Sequence, residues 1–395
     1  MSVSDVLKRY GQQYLDRFGT TMTAQQKKVL RAVMACREDR LGTIRYACLS
    51  CNHEHTVPRS CCNRHCPACQ HEATQAWLAK QRDRLLPCHY FLITFTVPKE
   101  VRAAMLRYPR EAYSALMGCA AESLKVAATN ERHVGAKECG FFGVLHTWGR
   151  DLSYHPHCHF VVPAGGLDAS GSWTSSRASV FVPAQILAVL IRNKLRDRLR
   201  GTKCFTAIPA SVWKRTWKVD SKAVGDGKRA LTYLAPYVMR GAVANWRVTE
   251  LGDTKSGRKS SLDNAKLVLQ VKRSGSKRYR GVELTVIEFI RRWLQHVLPT
   301  GLHRVRHYGF MHSSSRHDLG ELKWLVAVAI CNLYYLTCTE ALIQAARAKL
   351  RCPHCGGAMI SLGYVPANVT DSLAASTRAG ILAPPSTSLH PRAPP

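Results

Sequence analysis

Three histidines at alternate positions, His155, His157 and His159, lead into an apolar run that ends at Pro163. Alternation of period two is a strand signal, so the three imidazoles share one face while Phe160 and Val162 turn to the opposite, buried face. Same-face neighbours on a strand lie roughly 6–7 Å apart. Two imidazoles at that spacing can converge on one cation, each nitrogen reaching about 2 Å from it. Pro156 has no N–H and suits a strand edge or start, which makes His157 and His159 the better pair. A strand with surface histidines is the competing reading. A second pair with chemical potential is Tyr233 and Tyr237, four residues apart in a helical run, so that both hydroxyls lie on one helix face. Pro236 between them should kink or loosen that turn. Tyrosines at this spacing are usually packing residues and do not establish catalysis on their own.

Cysteines supply the third constellation. Cys48-Leu-Ser-Cys51 and Cys66-Pro-Ala-Cys69 are two CxxC knuckles, and their four thiolates are expected to close one tetrahedral structural zinc site. Cys36, Cys61, Cys62, His53, His55 and His65 lie nearby, and Cys36, Cys62 and His65 are candidates for a second zinc. Cys352-Pro-His-Cys355 is a third knuckle with no partner pair downstream: half a site completed by earlier cysteines, or a vestige. The opening residues Met1–Tyr10 are polar and carry no apolar signal core, so the cytoplasm is the expected compartment. There, close thiol pairs read as metal ligands and not as disulfides. The longest apolar stretch, Trp324–Thr339, is interrupted by Asn332 and falls short of the about 20 residues of a membrane span, so a buried helix is expected.

Lysine and arginine number 57 against 26 aspartate and glutamate, a net charge of +31. That excess suits a polyanion, and nucleic acid is the commonest one. Arg64, Arg240, Arg291 and Arg292 are candidate DNA contacts, with Arg45 and Arg59 beside the knuckles. A solvated basic surface is as good a reading for any one of them. A zinc hydrolase built on the three histidines leaves this charge unexplained.

The elements that must hold these residues can be read from pattern. Residues 4–35 form a helix pair, with Thr23 and Gln26 as a capping box. A helix at 72–86 precedes a strand at His89–Pro98, rich in β-branched and aromatic residues. Residues 99–128 are helical. Phe141–Trp148 is a strand that turns at Gly149-Arg150-Asp151 into the histidine strand as an antiparallel hairpin. His146 on that strand is either a third metal ligand or a core histidine. A basic helix spans 183–200, Trp217–Val219 is a short strand, and Lys228–Arg240 is the tyrosine helix. Residues 255–280 are basic short strands and turns near phosphates, 289–298 a helix, and 299–310 a strand on a DNA-facing surface. Strand–helix–strand–strand order predicts an α+β fold with an antiparallel sheet.

Taken together, Arg64-His-Cys-Pro-Ala-Cys-Gln70, Phe95-Thr-Val-Pro98, His146-Thr-Trp-Gly149, His155-Pro-His-Cys-His159, Tyr233-Leu-Ala-Pro-Tyr237, Phe289-Ile-Arg-Arg292 and His307-Tyr-Gly-Phe310 closely resemble, in this order, the rolling-circle transposases of the insertion sequence ninety-one family, within the HUH endonuclease superfamily. The resemblance covers roughly residues 10–360. It implies an HUH-endonuclease-like sheet flanked by helices, with His157-Cys158-His159 as the histidine–hydrophobe–histidine motif and Tyr233 and Tyr237 as nucleophiles. Cysteine is acceptable at the middle position as a small hydrophobe. It implies four segments: a helical zinc-binding DNA-recognition domain at 1–87, a nuclease domain at 88–247, a basic region at 248–362 and a disordered tail at 363–395. Chemistry agrees with it. Rejoining DNA without ATP requires that the phosphodiester energy be kept, and a tyrosine attacking phosphorus does so as a 5′-phosphotyrosine. A phenol of pKa near 10 needs help, and a divalent cation, Mg²⁺ or Mn²⁺, can give it as a Lewis acid. The expected partner is single-stranded DNA or a hairpin end, with no membrane. A plasmid-type replication initiator or relaxase shares this chemistry. A zinc-finger DNA-binding protein without catalysis shares the charge and the knuckles but not the histidines and tyrosines.

Overall fold

The computed structural model describes residues 2–239, 241–250, 261–272, 278–332 and 350–367. Its elements run α1 (Val3–Phe18), α2 (Ala24–Met34), β1 (Thr43–Cys48), β2 (Glu54–Pro58), α3 (His71–Asp83), β3 (Tyr90–Thr96), α4 (Lys99–Arg107), α5 (Pro109–Ala128), β4 (Phe141–Trp148), β5 (Tyr154–Pro163), β6 (Gly165–Leu167) and β7 (Trp173–Ser175). There follow α6 (Ala184–Leu199), α7 (Lys203–Thr206), β8 (Lys218–Ala223), α8 (Lys228–Met239), β9 (Val248–Glu250), β10 (Lys266–Lys272), β11 (Tyr279–Thr285), α9 (Val286–Leu294), β12 (Val305–Tyr308), α10 (Leu319–Ala329) and β13 (Met359–Val365). The described residues fall into two compact units. One takes those of Met1–Cys36 and Cys61–Arg347, the other those of Arg37–Ser60 and Ala348–Pro395. This is a mixed fold of helices and antiparallel sheet, as the strand order predicts.

The first unit is built on a five-stranded sheet of order β12-β4-β5-β3-β8, with every neighbouring pair antiparallel. The expected hairpin joins β4 to the histidine strand β5. Its register places His146 opposite His157, and then Trp148 opposite Tyr154. Two residues of β5, His155 and Pro156, therefore oppose the single Thr147. This is a bulge, and it accommodates the proline where a ladder bond is lost.

Alternation along β5 sends Cys158, Phe160 and Val162 to a core shared with Phe95, Phe141 and the helices α4, α5 and α6. Val161, on the other face, joins Phe142, Val144 and the apolar side of α8, where Ala230, Leu231, Leu234, Ala235 and Val238 are buried. The tyrosine helix is thus pinned onto the face that carries His157 and His159. Its far end is held by the buried Arg304, whose Nη1 donates to the carbonyls of Tyr237 at 2.7 Å and Val238 at 3.3 Å. These are carbonyls that a helix leaves without partners at its C-terminus.

The N-terminal helix pair forms as its capping signals predict, with Thr23 and Gln26 bonded reciprocally. It shares a core with distant segments: Val6, Leu7, Leu30 and Val33 are buried together with Leu267, Leu269, Phe289 and Trp293. The expected strand over 299–310 shrinks to β12, an edge strand. Its His307 Nε2 lies 3.1 Å from Gln81 Oε1, and the Tyr308 hydroxyl donates to the Met117 carbonyl. Its alternation is a packing pattern. It ends at Gly309, where φ is +56° and an added Cβ would collide with the Cys139 carbonyl.

In the second unit β1 lies between β13 and β2, antiparallel to both. Sequence pattern does not reveal any of these three strands. Residues 363–365 end β13, and the rest of the expected tail, from 368 onward, lies outside the described residues. So do residues 333–339 of the expected apolar helix at Trp324–Thr339, whose first residues belong to α10. No helix among the described residues is long and apolar enough to cross a membrane.

Candidate active site

The pairing of β4, β5 and β3 brings three imidazoles together. His146, His157 and His159 each offer a ring nitrogen, and these nitrogens all lie within 4.8 Å of one another. The ring centroids are 5.4 Å apart for His146 and His157, 4.7 Å for His146 and His159, and 4.8 Å for His157 and His159. His155 lines the same groove but stands outside this cluster.

Neighbours orient each ring. His157 Nδ1 sits 2.6 Å from the His155 carbonyl, so it must carry the proton, which leaves Nε2 with a free lone pair. His159 Nδ1 is 2.8 Å from Thr94 Oγ1, its partner strand residue across β3. His146 stacks on Trp148 at 4.7 Å. The Nε2 atoms of His146 and His159 are buried and have no hydrogen-bond partner among the described residues. An orphaned buried imidazole nitrogen calls for a ligand, since a buried polar atom without one is costly. Burial holds His146 and His159 well below the ordinary imidazole range, and each ring's histidine neighbours push further the same way. Burial brings His157 down to about 4, against the opposing pull of the His155 carbonyl. Neutral rings with inward lone pairs are the state that binds a divalent cation.

Both tyrosines face this cluster from α8. Tyr237 lies 5.4 Å from His146, Tyr233 6.3 Å from His159, and the two phenol rings are 5.8 Å apart, all between centroids. Tyr233 is 53% exposed, so a large substrate can reach it. Desolvation in the groove raises the pKa of both phenols, offset by Arg150 and Lys222 at Tyr233 and by Arg247 at Tyr237. Neither phenol ionises unaided at neutral pH.

The groove has a volume of about 940 Å³. Its wall beyond the tyrosines carries Arg150, Arg247, Lys272, Trp246 and Tyr279. Trp246 and Tyr279 are 59% and 46% exposed and meet edge to face at 5.2 Å. Aromatic faces interleaved with cations are what a nucleic-acid strand needs: stacking for bases and charge for phosphates. Sequence pattern places Lys272 and Tyr279 in the basic 255–280 segment expected near phosphates but does not join them to Arg150, Trp246 and Arg247, which only the fold brings together. The floor of the groove requires Gly241, since a Cβ there would come within 2.6 Å of the His65 carbonyl oxygen.

Of the arginines expected to contact DNA, Arg64, Arg291 and Arg292 have partners within the chain. Arg64 donates to the carbonyls of Leu302 and Pro299. Arg291 and Arg292 both pair with Glu288, and Arg292 also donates to the Asp151 carbonyl. Arg240 lies outside the described residues.

The cysteines are sorted differently from the expected single site of Cys48, Cys51, Cys66 and Cys69. Cys66 and Cys69 group with Cys36 and Cys61, while Cys48 and Cys51 group with Cys352 and Cys355. The reason is topological. Residues 37–60 belong to the second unit, so the chain leaves the first unit at Cys36 and re-enters at Cys61. Cys36 follows the end of α2, and its sulfur accepts the Cys61 N–H at 3.5 Å. Cys61 and Cys69 sulfurs are 3.7 Å apart. Of the other residues considered for a second site, Cys62 is exposed and outside the cluster, and His65 is buried beside Arg304.

Two family models match different parts of the chain. Residues 140–318 match the family model described as "Putative transposase", and residues 6–97 match "Transposase zinc-binding domain". The chain is 33% identical over 349 residues to "Putative transposase y4qJ" of Sinorhizobium fredii, covering 83% of this chain and 85% of that one. It is 26% identical over 352 residues to "Transposase for insertion sequence element IS801" of Pseudomonas savastanoi pv. phaseolicola, covering 83% and 81%. No solved structure matches the chain.

Proposed function

The chain belongs to the insertion sequence ninety-one family of transposases, and we propose that it nicks and rejoins single-stranded DNA at element ends through a 5′-phosphotyrosine intermediate, as rolling-circle transposition requires. The carrying observation is that two phenols on one helix face meet three buried imidazoles in a single basic and aromatic groove.

In this reading the sheet is that of an HUH endonuclease, with His157-Cys158-His159 as its motif and the buried Cys158 as the middle hydrophobe. A tyrosine Oη attacks the scissile phosphorus. The Oη–P bond forms as the P–O3′ bond breaks, so the 5′-phosphate stays on the protein and a 3′-hydroxyl leaves. No phosphodiester energy is lost, and the 3′-hydroxyl of a second strand reverses the step. With two tyrosines, one can hold the first end while the other cuts the second.

His146, His157 and His159 would hold a divalent cation, Mg²⁺ or Mn²⁺, which when bound supplies Lewis acidity at the scissile phosphate. Mixed imidazole ligation favours Mn²⁺ relative to an all-oxygen site. Thr94 and the His155 carbonyl keep the rings aimed inward. Arg150, Arg247 and Lys272 would hold the flanking phosphates, and Trp246 and Tyr279 would stack unpaired bases. Duplex DNA offers no unpaired base for such a platform, which supports a single-stranded substrate. Cys36, Cys61, Cys66 and Cys69 would hold the structural zinc of the zinc-binding domain. The enzyme would act in the cytoplasm.

Incubating the protein with single-stranded DNA from its element's ends and Mn²⁺ or Mg²⁺ tests this directly. A covalent adduct that maps by mass spectrometry to the peptide carrying Tyr233 and Tyr237 is expected. A purely hydrolytic product with a free 5′-phosphate would overturn the mechanism and leave DNA binding standing.

A further inference from the structure

We propose that Cys48, Cys51, Cys352 and Cys355 hold a second structural zinc ion, separate from the Cys36 cluster, and that this ion closes the second unit from two segments far apart in the chain. Cys352 and Cys355 lie well beyond residues 6–97, the extent of the matched zinc-binding domain.

The four sulfurs all lie within 4.8 Å of one another. Cys48 and Cys355 sulfurs are 3.5 Å apart, and Cys51 and Cys352 sulfurs 3.7 Å. Zinc–sulfur bonds of about 2.3 Å in a tetrahedron put sulfurs roughly 3.8 Å apart. A disulfide needs about 2.05 Å. The spacing is that of thiolates around an ion.

The backbone of the two knuckles repeats the same turn. The Cys48 N–H donates to the His53 carbonyl, and the Asn52 N–H returns to the Cys48 carbonyl. The Cys352 N–H donates to the Gly357 carbonyl, and the Gly356 N–H returns to the Cys352 carbonyl. The residue after each second cysteine is left-handed, Asn52 at φ +56° and Gly356 at φ +73°. Both knuckles therefore aim two sulfurs inward from one tight loop. The Leu49 N–H donates to the Ala358 carbonyl and links one loop to the other.

Among the described residues, the rest of this unit has only a small apolar core. Its buried apolar cluster consists of Cys48, Cys352 and Met359, with Tyr46 partly buried against it. Ile360, Leu362 and Tyr364 of β13 are 46%, 50% and 52% exposed. A three-stranded sheet with so small a core is not self-supporting, and small modules of this kind rely on a metal or a disulfide. Zinc is the ion such a closed four-thiolate site takes when its role is structural.

Zinc content of the full chain, purified without added metal, decides the matter. Two equivalents are expected, falling to one in Cys48→Ser, in Cys352→Ser and in the double variant of both, because these residues share one ion. Cys66→Ser should remove the other equivalent, so Cys48→Ser with Cys66→Ser should retain none. One equivalent in the unaltered chain, lost in Cys48→Ser and Cys66→Ser alike, would overturn the proposal. A second measurement needs no variant. Cys355 is exposed, so as a free thiol it would react readily. Cys352 and Cys355 should resist alkylation in the purified protein and become labelled once a chelator is added. Labelling at both before chelation would overturn the second site, whatever the variants do.

Discussion

The rings of Tyr233 and Tyr237 stand 5.8 Å apart, tilted by 66°, one helical turn from each other. Each packs toward a different histidine of one cluster, Tyr237 toward His146 and Tyr233 toward His159. In the proposed mechanism two nucleophiles would share one activating centre and differ in their approach to it. Tyr233→Phe and Tyr237→Phe keep the ring and remove only the hydroxyl, and both variants should fold. Neither should complete transposition, at least one should still nick, and the double variant should form no adduct. A denaturing gel that resolves protein–DNA conjugates reads all three outcomes, and an adduct in the double variant would remove these tyrosines from the mechanism.

Thr94, on the groove wall, meets the outer nitrogen of His159 through its Oγ1 at 2.8 Å. Partners of this kind set the orientation and basicity of a ligand ring, and losing them costs about 10–100-fold in metal affinity. Thr94→Val should therefore raise the Mn²⁺ concentration needed for half-maximal nicking by about that factor, with DNA binding unchanged. His157→Ala should abolish nicking while retaining most end binding. Equal Mn²⁺ dependence in Thr94→Val and the unaltered chain would show that the ring needs no such support.

Trp246 and Tyr279 form an exposed aromatic pair beside Arg247 and Lys272 on the groove wall. Base stacking on an aromatic ring is worth about 1–3 kcal/mol per base, so Trp246→Ala should weaken single-strand binding by roughly 5–150-fold. Lys272→Gln should instead flatten the salt dependence of binding. One phosphate no longer neutralised lowers the log–log slope for a single strand by about 0.7. Fluorescence anisotropy with a labelled oligonucleotide across a salt series separates the two effects. Unchanged affinity in Trp246→Ala would place the strand elsewhere.

His296 is buried between Thr147 and the Leu152 carbonyl, with its Nδ1 3.2 Å from the threonine hydroxyl and its Nε2 3.1 Å from the carbonyl oxygen. Burial lowers its pKa to about 4. The unfolded chain binds this proton more readily than the folded one, so the contribution is fully present above the unfolded value of about 6.5. It is lost as pH falls from there toward 4, by up to roughly 3 kcal/mol. Urea midpoints should drop between pH 7 and pH 4.5, and His296→Gln should show a shallower drop than the unaltered chain. An identical pH profile in that variant would mean that other groups carry the acid sensitivity.

The histidine strand, the tyrosine helix and the β4–β5 hairpin are legible in the sequence because each is a local pattern: period two, period 3.6, and a turn between two strands. The grouping of His146 with His157 is not, because a register across two strands is not a local property. The cysteines show the limit more sharply. Spacing alone favours Cys48 and Cys51 with Cys66 and Cys69, the nearest pair of knuckles. What separates them is the pairing of β1 with β13, a meeting of distant parts of the sequence that no window contains. The groove wall is hidden for the same reason. No local pattern joins Trp246 to Tyr279 until the sheet β11-β10-β9 sets them side by side.

The second unit also has a history in time. As the chain leaves the ribosome, β1 and β2 emerge with one edge of β1 bare, and a lone two-stranded hairpin is marginal in water. The partner knuckle follows only after the intervening chain, Cys355 lying 307 positions after Cys48. Throughout that interval one edge of β1 lacks its neighbouring strand. A product broken off before residue 352 never acquires the missing strand. The three-stranded sheet is therefore complete only on chains whose translation has reached β13.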